Sequence, residues 1–184
     1  MINLKPFRQY GEYDVINGLF SYNGNSAAAG SIVRITSNYK DNSGNNIFDL
    51  ENMSGVPNTL SAIFSPIGKV ETVQNYDDEN VIGIILKSVA TEDENGNLLI
   101  HNTRKAAEMD VVIPTQAVPI LTKGIICVNE IDTNDRGLGG GAPSPGDAAY
   151  MGNNGSFATD GLVVVGKFLS TIDNDGYAII KINF

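Results

Sequence analysis

Short runs of aliphatic and β-branched residues recur along the chain and are separated by stretches rich in glycine, asparagine, aspartate and serine. Runs of this length and composition predict strands rather than helices. The glycines and asparagines return at intervals of about ten residues, which is typical of short strands joined by turns. We predict strands at residues 31–36, 81–87, 109–113, 117–122, 124–128, 147–151, 162–169 and 176–182.

Two connections contain residues that favour tight turns. Asn95-Gly96 and the tetrad at residues 173–176, Asp-Asn-Asp-Gly, hold residues that tolerate the positive φ of a hairpin turn. The side-chain pattern of residues 98–102 alternates as in a strand, and it predicts a strand that follows the first of these turns. Both positions are therefore predicted to be hairpin turns.

Helix formers are concentrated at residues 103–109, with a second short candidate at residues 58–64. Each candidate is one or two turns long. Residues 38–55 and 129–146 are rich in Asn, Gly, Ser, Asp and Pro, and we expect long surface loops there.

These elements predict one mainly β domain, a small β-barrel or β-sandwich of short antiparallel strands with one or two short helices and long loops. We expect the domain at residues 26–184 and an extended N-terminal arm at residues 1–25. The first 22 residues hold five of the fourteen aromatic side chains without a clear strand alternation: Phe7, Tyr10, Tyr13, Phe20 and Tyr22. They either pack back onto the chain's own core or anchor the protein on a partner, and the sequence leaves both alternatives open.

The charge of the chain argues against two classes of partner. With 21 acidic and 12 basic residues among 184, the net charge is -9 and the basic residues are scattered. Such a chain repels nucleic acid backbones and anionic lipid, so we expect neither nucleic acid nor a membrane as a partner. The N-terminal segment lacks the apolar core of a secretory signal, which predicts synthesis in the cytoplasm.

The residues that could carry catalytic or redox chemistry are isolated. Cys127 is the only cysteine, and its apolar neighbours predict a small buried residue in a strand. His101 is the only histidine, which excludes a multi-histidine metal site and favours a structural role. Residues 137–142 match G-x-G-x-x-A, but the polar segment before them and Pro145 after them favour a loop over a dinucleotide site. We therefore predict no catalytic residue and no cofactor.

The acidic turns at residues 93–96 and 173–176 do not match a calcium-binding loop, because no glutamate falls at position twelve. No metal site is predicted. A weak, non-specific cation site among Asp173, Asp175 or residues 92–94 stays open.

The last forty residues carry the most distinctive order of motifs. They contain Pro145-Gly-Asp-Ala-Ala-Tyr150, Gly155-Ser-Phe157, Val165-Gly-Lys-Phe-Leu-Ser170 and Asp175-Gly-Tyr-Ala-Ile-Ile-Lys-Ile182, after upstream strands at residues 30–35, 81–86 and 109–125. Over roughly residues 26–184 this order resembles the capsid cement, or head decoration, proteins of tailed bacteriophages. In that family, strands with these motifs close a small β-barrel.

The resemblance implies a non-enzymatic virion protein, made in the host cytoplasm, that binds the outer surface of the capsid and stabilises the expanded head. Its implied partners are the major capsid protein and other copies of itself, with a trimer favoured. The capsid-contact candidates are Phe7, Arg8, Tyr10, Tyr13 and Phe20 of the arm, with Asp135, Arg136 and Leu138 of the second long loop as further choices.

Two other classes of function stay open from the sequence. One is a tail or head-fibre attachment module that binds a receptor or glycan, although the absence of tryptophan weighs against a sugar platform. The other is a small β-barrel hydrolase, such as a trimeric nucleotide hydrolase, although no phosphate-binding loop is recognised.

Overall fold

The protein was analysed as a computed structural model, which describes residues 2–5, 9–18, 20–38, 68–114, 116–134 and 141–184. Within these ranges the chain forms a six-stranded and a five-stranded sheet, which confirms the prediction of a mainly β fold. The strands are β1 (Val15–Ile16), β2 (Phe20–Tyr22), β3 (Ile32–Asn38), β4 (Gly68–Thr72), β5 (Val81–Ile85), β6 (Ile120–Leu121), β7 (Lys123–Val128), β8 (Ala148–Met151), β9 (Phe157–Ala158), β10 (Val164–Phe168) and β11 (Ala178–Asn183).

The strand order is β1-β6-β5-β3-β4-β2 in the first sheet and β7-β11-β10-β8-β9 in the second. β2 and β4 run parallel, whereas the other neighbouring pairs of described strands are antiparallel. The chain completes most of the first sheet before it enters the second, so each sheet is built largely from one half of the sequence.

The first sheet is buried on both faces. On β5 and β6, Ile84 and Leu121 belong to the core shared with the second sheet, whereas Ile85 and Ile120 belong to a cluster on the opposite face. That opposite face is covered by apolar residues of the segment between β5 and β6, including Val89, Val112 and Val118. Burial on both faces explains why the sequences of these strands are continuous apolar runs.

Among the described residues, the second sheet buries one face in the core. On β11, Ala178, Ile180 and Ile182 are buried in the shared core, while the alternate residues Lys181 and Asn183 are exposed and Ile179 is half-buried. This period of two is the pattern of a strand with one face in the core and one in solvent. The second sheet therefore presents an open outer face.

The predicted helix at residues 103–109 is confirmed as α1 (Thr103–Glu108). Asn102 caps its start, with the side-chain oxygen accepting a hydrogen bond from the Lys105 amide at 3.2 Å. Ala106 is the residue that α1 buries, and it packs in a small cluster with Leu99 and Ile113.

Both predicted hairpin turns are confirmed. Gly96 and Gly176 have φ of 79° and 82°, a region that glycine enters without steric cost. In each turn an aspartate closes the loop: Asp93 Oδ1 accepts the amides of Asn95 and Asn97, and Asp173 Oδ1 accepts those of Asp175 and Tyr177.

Two strand predictions are wrong. Residues 109–113 contain one isolated bridge, from Val112 to Val89, because the amides of Asp110 and Val111 bond back to the last turn of α1. Residues 98–102 hold a 3-10 turn at Leu99–His101 rather than a strand, since the amides of His101 and Asn102 bond locally. In both places short local hydrogen bonds replace the sheet ladder.

The sequence pattern missed β1, β2, β4 and β9. Three of these strands are only two or three residues long, and such segments show no detectable period. The predicted helix at residues 58–64 and most of the loop at residues 38–55 lie outside the described residues. So does the centre of the loop at residues 129–146.

Candidate functional site

The described part of the predicted N-terminal arm lies against the two sheets. β1 pairs with β6, and β2 pairs with β4. Before them, Gln9 and Ile125 exchange two backbone hydrogen bonds, at 3.4 and 3.0 Å, and the Lys5 amide donates to the Cys127 carbonyl at 3.0 Å. The residues before β1 thus extend the second sheet beyond β7. The division of the chain into an arm at residues 1–25 and a domain at residues 26–184 stays a prediction.

The structure distinguishes among the aromatic candidates of the arm. Tyr10 packs against the core between the sheets, and Phe20 packs against the cluster on the far face of the first sheet. Tyr22 is buried, and its hydroxyl shares a hydrogen bond with the Thr72 hydroxyl, with 2.8 Å between the two oxygens. Tyr13, in the 3-10 turn Glu12–Asp14, is 103% exposed. Of the described aromatic candidates, Tyr13 is therefore the one presented to solvent.

Five other predicted contact residues lie outside the described residues, and their roles stay predictions. They are Phe7, Arg8, Asp135, Arg136 and Leu138.

Lys5 joins the N-terminal segment to the turn between β10 and β11. Its Nζ lies 3.7 Å from Asp173 Oδ2 and 3.7 Å from the centroid of the Tyr177 ring. The hydrogen bond from the Tyr177 amide is the main cause that lowers the pKa of Asp173, with further contributions from Asp175 and Lys5. Because both charged side chains are about half exposed, we assign this contact to local positioning rather than to a large part of the stability.

Cys127 differs from its prediction as a buried core residue. It is half-buried and lies on the outward side of β7, between the inward-facing Ile126 and Val128. Burial raises the pKa of its thiol. A thiol held protonated is a poor nucleophile, which argues for a structural cysteine.

The described residues offer little that resembles a catalytic centre. An open cleft of about 740 Å³ beside Tyr22 is lined mainly by serine, alanine, threonine and asparagine side chains, with Glu130 as its carboxylate. His101 is exposed at the end of its 3-10 turn. Within the described ranges, no three His, Cys, Asp or Glu side chains are grouped to hold a metal ion. None of the described helices is long and apolar enough to cross a bilayer.

The outer face of the second sheet is a surface that the sequence pattern did not identify. Its outward positions are Lys123, Ile125 and Cys127 on β7, Ile179, Lys181 and Asn183 on β11, Val164 and Lys167 on β10, Ala148 and Tyr150 on β8, and Leu169 just after β10. Three of these residues are lysines and none is acidic. The sequences of β10 and β11 alternate between buried apolar and exposed side chains, which indicates one solvent-facing side for each strand. Only the pairing of the strands brings the lysines together.

Two sheets packed around a shared core define a β-sandwich-type domain, and the clearest exposed features of its described part are surfaces rather than clefts. A family model described as structural cement protein (E217 gp24/Pam3 gp6) matches residues 16–183. The chain therefore belongs to this family of phage structural cement proteins, which confirms the resemblance seen in the order of its motifs. No curated protein and no solved structure matches the chain significantly.

Proposed function

We propose that this protein is a structural component of the virion that binds the outer surface of a phage capsid and cements the expanded head lattice. The observation that carries the proposal is the family match, which spans β2 to β11 and therefore nearly the whole described fold. The role is structural rather than catalytic. Its partners are the major capsid protein and further copies of this chain, with a trimer favoured.

Mass action explains how such a protein stabilises a shell. A ligand that binds the assembled lattice but not the separated subunits lowers the free energy of the lattice at every occupied site. The effect is about 2.7 kcal/mol per site when the free concentration is a hundred times the Kd. Because a head offers many equivalent sites, a modest gain per copy is multiplied across the whole shell.

Within the predicted arm, we assign the capsid contact first to Tyr13. Its side chain is fully exposed, and exposed tyrosines are enriched among the residues that dominate protein interfaces. Tyr10 and Phe20 are committed to the chain's own core clusters, so they support the position of this segment. Phe7 and Arg8, together with Asp135, Arg136 and Leu138, complete the proposed contact set.

Binding to heads that lack the protein tests both parts of the proposal. We expect the wild-type protein to co-sediment with expanded heads and to raise the temperature at which they release DNA. We expect Tyr13→Ser to weaken binding by about tenfold or more, as for an interface residue whose truncation costs over 1.4 kcal/mol.

Ile100→Ser is the matched control, because Ile100 is also exposed, at 56%, and lies in another 3-10 turn. Its affinity should equal that of the wild type. Failure of the wild-type protein to bind heads would disprove the proposed function. Equal affinities for Tyr13→Ser and the wild type would disprove only the role of Tyr13.

A further inference from the structure

The cations of this acidic protein are distributed unevenly over its described surface. Of the six described cations outside β7, β10 and β11, all but Lys69 on β4 form an ion pair with a described carboxylate: Lys5, Arg34, Lys87, Arg104 and Lys105. The three lysines on the outer face of the second sheet are exposed, and no described carboxylate lies within ion-pairing distance of them. A chain with a net charge of -9 thus keeps one face positive.

Two of these lysines face each other across neighbouring strands. Lys167 on β10 is the direct antiparallel partner of Lys181 on β11, and both point away from the core. Like charges directly opposite on one face of a sheet destabilise the pair. The isolated protein therefore carries an unfavourable contact that an acidic partner would relieve.

The carboxylates that adjoin this face lie at its edges and already have hydrogen-bond partners. Asp147, just before β8, accepts a hydrogen bond from the Ser144 amide at 2.7 Å. Asp173, in the β10–β11 turn, accepts two backbone amides and pairs with Lys5. Of these two carboxylates, Asp173 is paired with Lys5, and none of the outward positions on the strands is acidic.

The same face carries exposed apolar area. Val164 is 57% exposed on β10, and Leu169, at 43%, continues the strand opposite Ile179. Val164 and Leu169 are two of the six large hydrophobic side chains that are exposed in the described part of the chain. They lie on either side of Lys167 along the chain, so the face combines apolar side chains with positive charge.

We infer that the outer face of the second sheet docks onto the capsid shell, at a protein surface that presents acidic side chains together with apolar ones; this inference rests on the proposed function. Exposed apolar side chains beside positive charge fit a protein partner, whereas nucleic acid is repelled by the net charge and needs no apolar contact. A two-fold pair of this chain through the same face would place lysines against lysines. Charge complementarity therefore disfavours this symmetric pair and favours an acidic surface, which we assign to the capsid.

Hydrogen bonds connect the turn that holds Tyr13 to the start of β7. The backbone carbonyl of Asp14 accepts hydrogen bonds from the amide and the hydroxyl of Thr122, which directly precedes Lys123. The backbone of the turn that holds Tyr13 is thus tied to the residue before β7.

Substitution of Lys167 by glutamate separates binding from folding. Lys167→Glu places opposite charges across β10 and β11, so we expect the melting temperature to stay the same or rise. We expect the affinity for expanded heads to fall by about tenfold at low salt, and its dependence on NaCl concentration to weaken, because a charge contact becomes repulsive. Lys167→Glu with Lys181→Glu should weaken binding further.

The matched control is Lys87→Glu with Arg104→Glu, which changes the net charge equally at exposed positions away from this face. This control should bind heads within about threefold of the wild type, since exposed ion pairs contribute little. Wild-type affinity of the Lys167→Glu, Lys181→Glu variant would overturn the inference and leave the proposed function standing. Failure of the wild-type protein to bind would overturn both.

Light scattering of the free proteins tests the remaining alternative. If the wild-type protein is an oligomer and the Lys167→Glu, Lys181→Glu variant dissociates, the face joins copies of this chain and the inference is wrong. If both have the same mass and only head binding changes, the capsid surface is the partner.

Discussion

Gly166 shows how a single residue position is fixed by the approach of two strands. It lies at an irregularity in the pairing of β10 with β8, and it is the partner of Ile182 on β11. A Cβ at this position would lie 2.2 Å from the carbonyl oxygen of Lys181, which is inside van der Waals contact with backbone. Glycine is therefore required by the neighbouring strand and not by the turn chemistry of its own segment.

We expect Gly166→Ala to lower the free energy of unfolding by about 2 kcal/mol or more, because the backbone of β11 must move to accept the methyl group. Chemical denaturation measures the loss. Gly11→Ala is the control, since its φ of -91° suits any residue and the nearest atom to its Cβ would be 3.4 Å away. Equal stabilities for the two variants would contradict this reading of Gly166.

Arg34 and Asp78 hold the loop after β4. Arg34 Nη1 donates to Asp78 Oδ1 at 2.8 Å, while Asp78 Oδ2 accepts the amides of Gln74 and Asn75 at 2.7 and 3.0 Å. Burial acts to raise the pKa of Asp78, but the amide hydrogen bonds and the Arg34 charge outweigh it and hold the pKa below its ordinary value of 3.8. The ionised form is thus favoured by folding.

The lowered pKa predicts how Asp78 contributes to stability as pH changes. A carboxylate whose pKa is depressed by folding makes its full contribution to the stability of the folded state above its unfolded pKa. This contribution is lost as the pH falls through the pKa in the folded state. We expect Asp78→Asn to lower the free energy of unfolding by about 1–3 kcal/mol at pH 7, which is the usual loss for hydrogen bonds to a charged group. The difference in the free energy of unfolding between this variant and the wild type should decrease below about pH 3.8.

Asp77→Asn is the matched control, because Asp77 is exposed in the same loop. Urea titrations at pH 7 and at pH 3 measure both variants. If the difference in the free energy of unfolding between the wild type and Asp78→Asn is the same at both pH values, the carboxylate does not have the assigned role.

Among the elements, the segment before β1 shows why an arm is difficult to recognise from sequence. The described residues 2–5 and 9 pair with β7 through backbone atoms, and these bonds leave no pattern in the side chains. One side-chain contact is added at Asn3, whose backbone amide donates a hydrogen bond to the side-chain oxygen Oδ1 of Asn129 at 2.6 Å. The segment covers an edge of the second sheet that would otherwise offer unpaired amides and carbonyls.

Deletion of residues 1–10 is expected to uncover this edge of β7. The free edge is a template for pairing with other chains, so the truncated protein should melt at a lower temperature and self-associate. Light scattering and thermal melting measure both effects. Gln9→Ala keeps the backbone and is expected to behave like the wild type; a monodisperse truncated protein with unchanged melting would show that the segment does not protect the edge.

The same arrangement decides how the arm should be tested on capsids. A deletion that extends to residue 22 removes β1 and β2, and with them both outer strands of the first sheet. Loss of binding by such a truncation would not separate contact from folding. Point substitutions such as Tyr13→Ser and Lys167→Glu change the surface alone.

At the scale of the whole molecule, the layers explain which surface is free to bind. The first sheet has the second sheet on one face and the segment between β5 and β6 on the other. The second sheet has the shared core on its inner face, and its outer face carries exposed lysines and exposed apolar side chains. A cement protein needs a surface that its own fold leaves open, and in the described part of the chain this sheet face meets that need.

The sequence by itself determined the β class, most of the longer strands, the helix at residues 103–108 and both aspartate-closed turns. It also determined the family resemblance in the order of the last motifs. These features depend on local propensity and on the period of side chains, which a short window of sequence contains. Only the tertiary structure decided that Tyr10 and Phe20 face the core while Tyr13 faces solvent.

The tertiary structure also decided that lysines from three strands share one face. Lys123, Lys167 and Lys181 are far apart in sequence, and they become neighbours because β7, β11 and β10 pair in a non-sequential order. Strand register is set by burial of the opposite face, where Ile180 and Phe168 must both reach the core. The surface is thus a consequence of packing on the other side of the sheet, which no local pattern of charges contains.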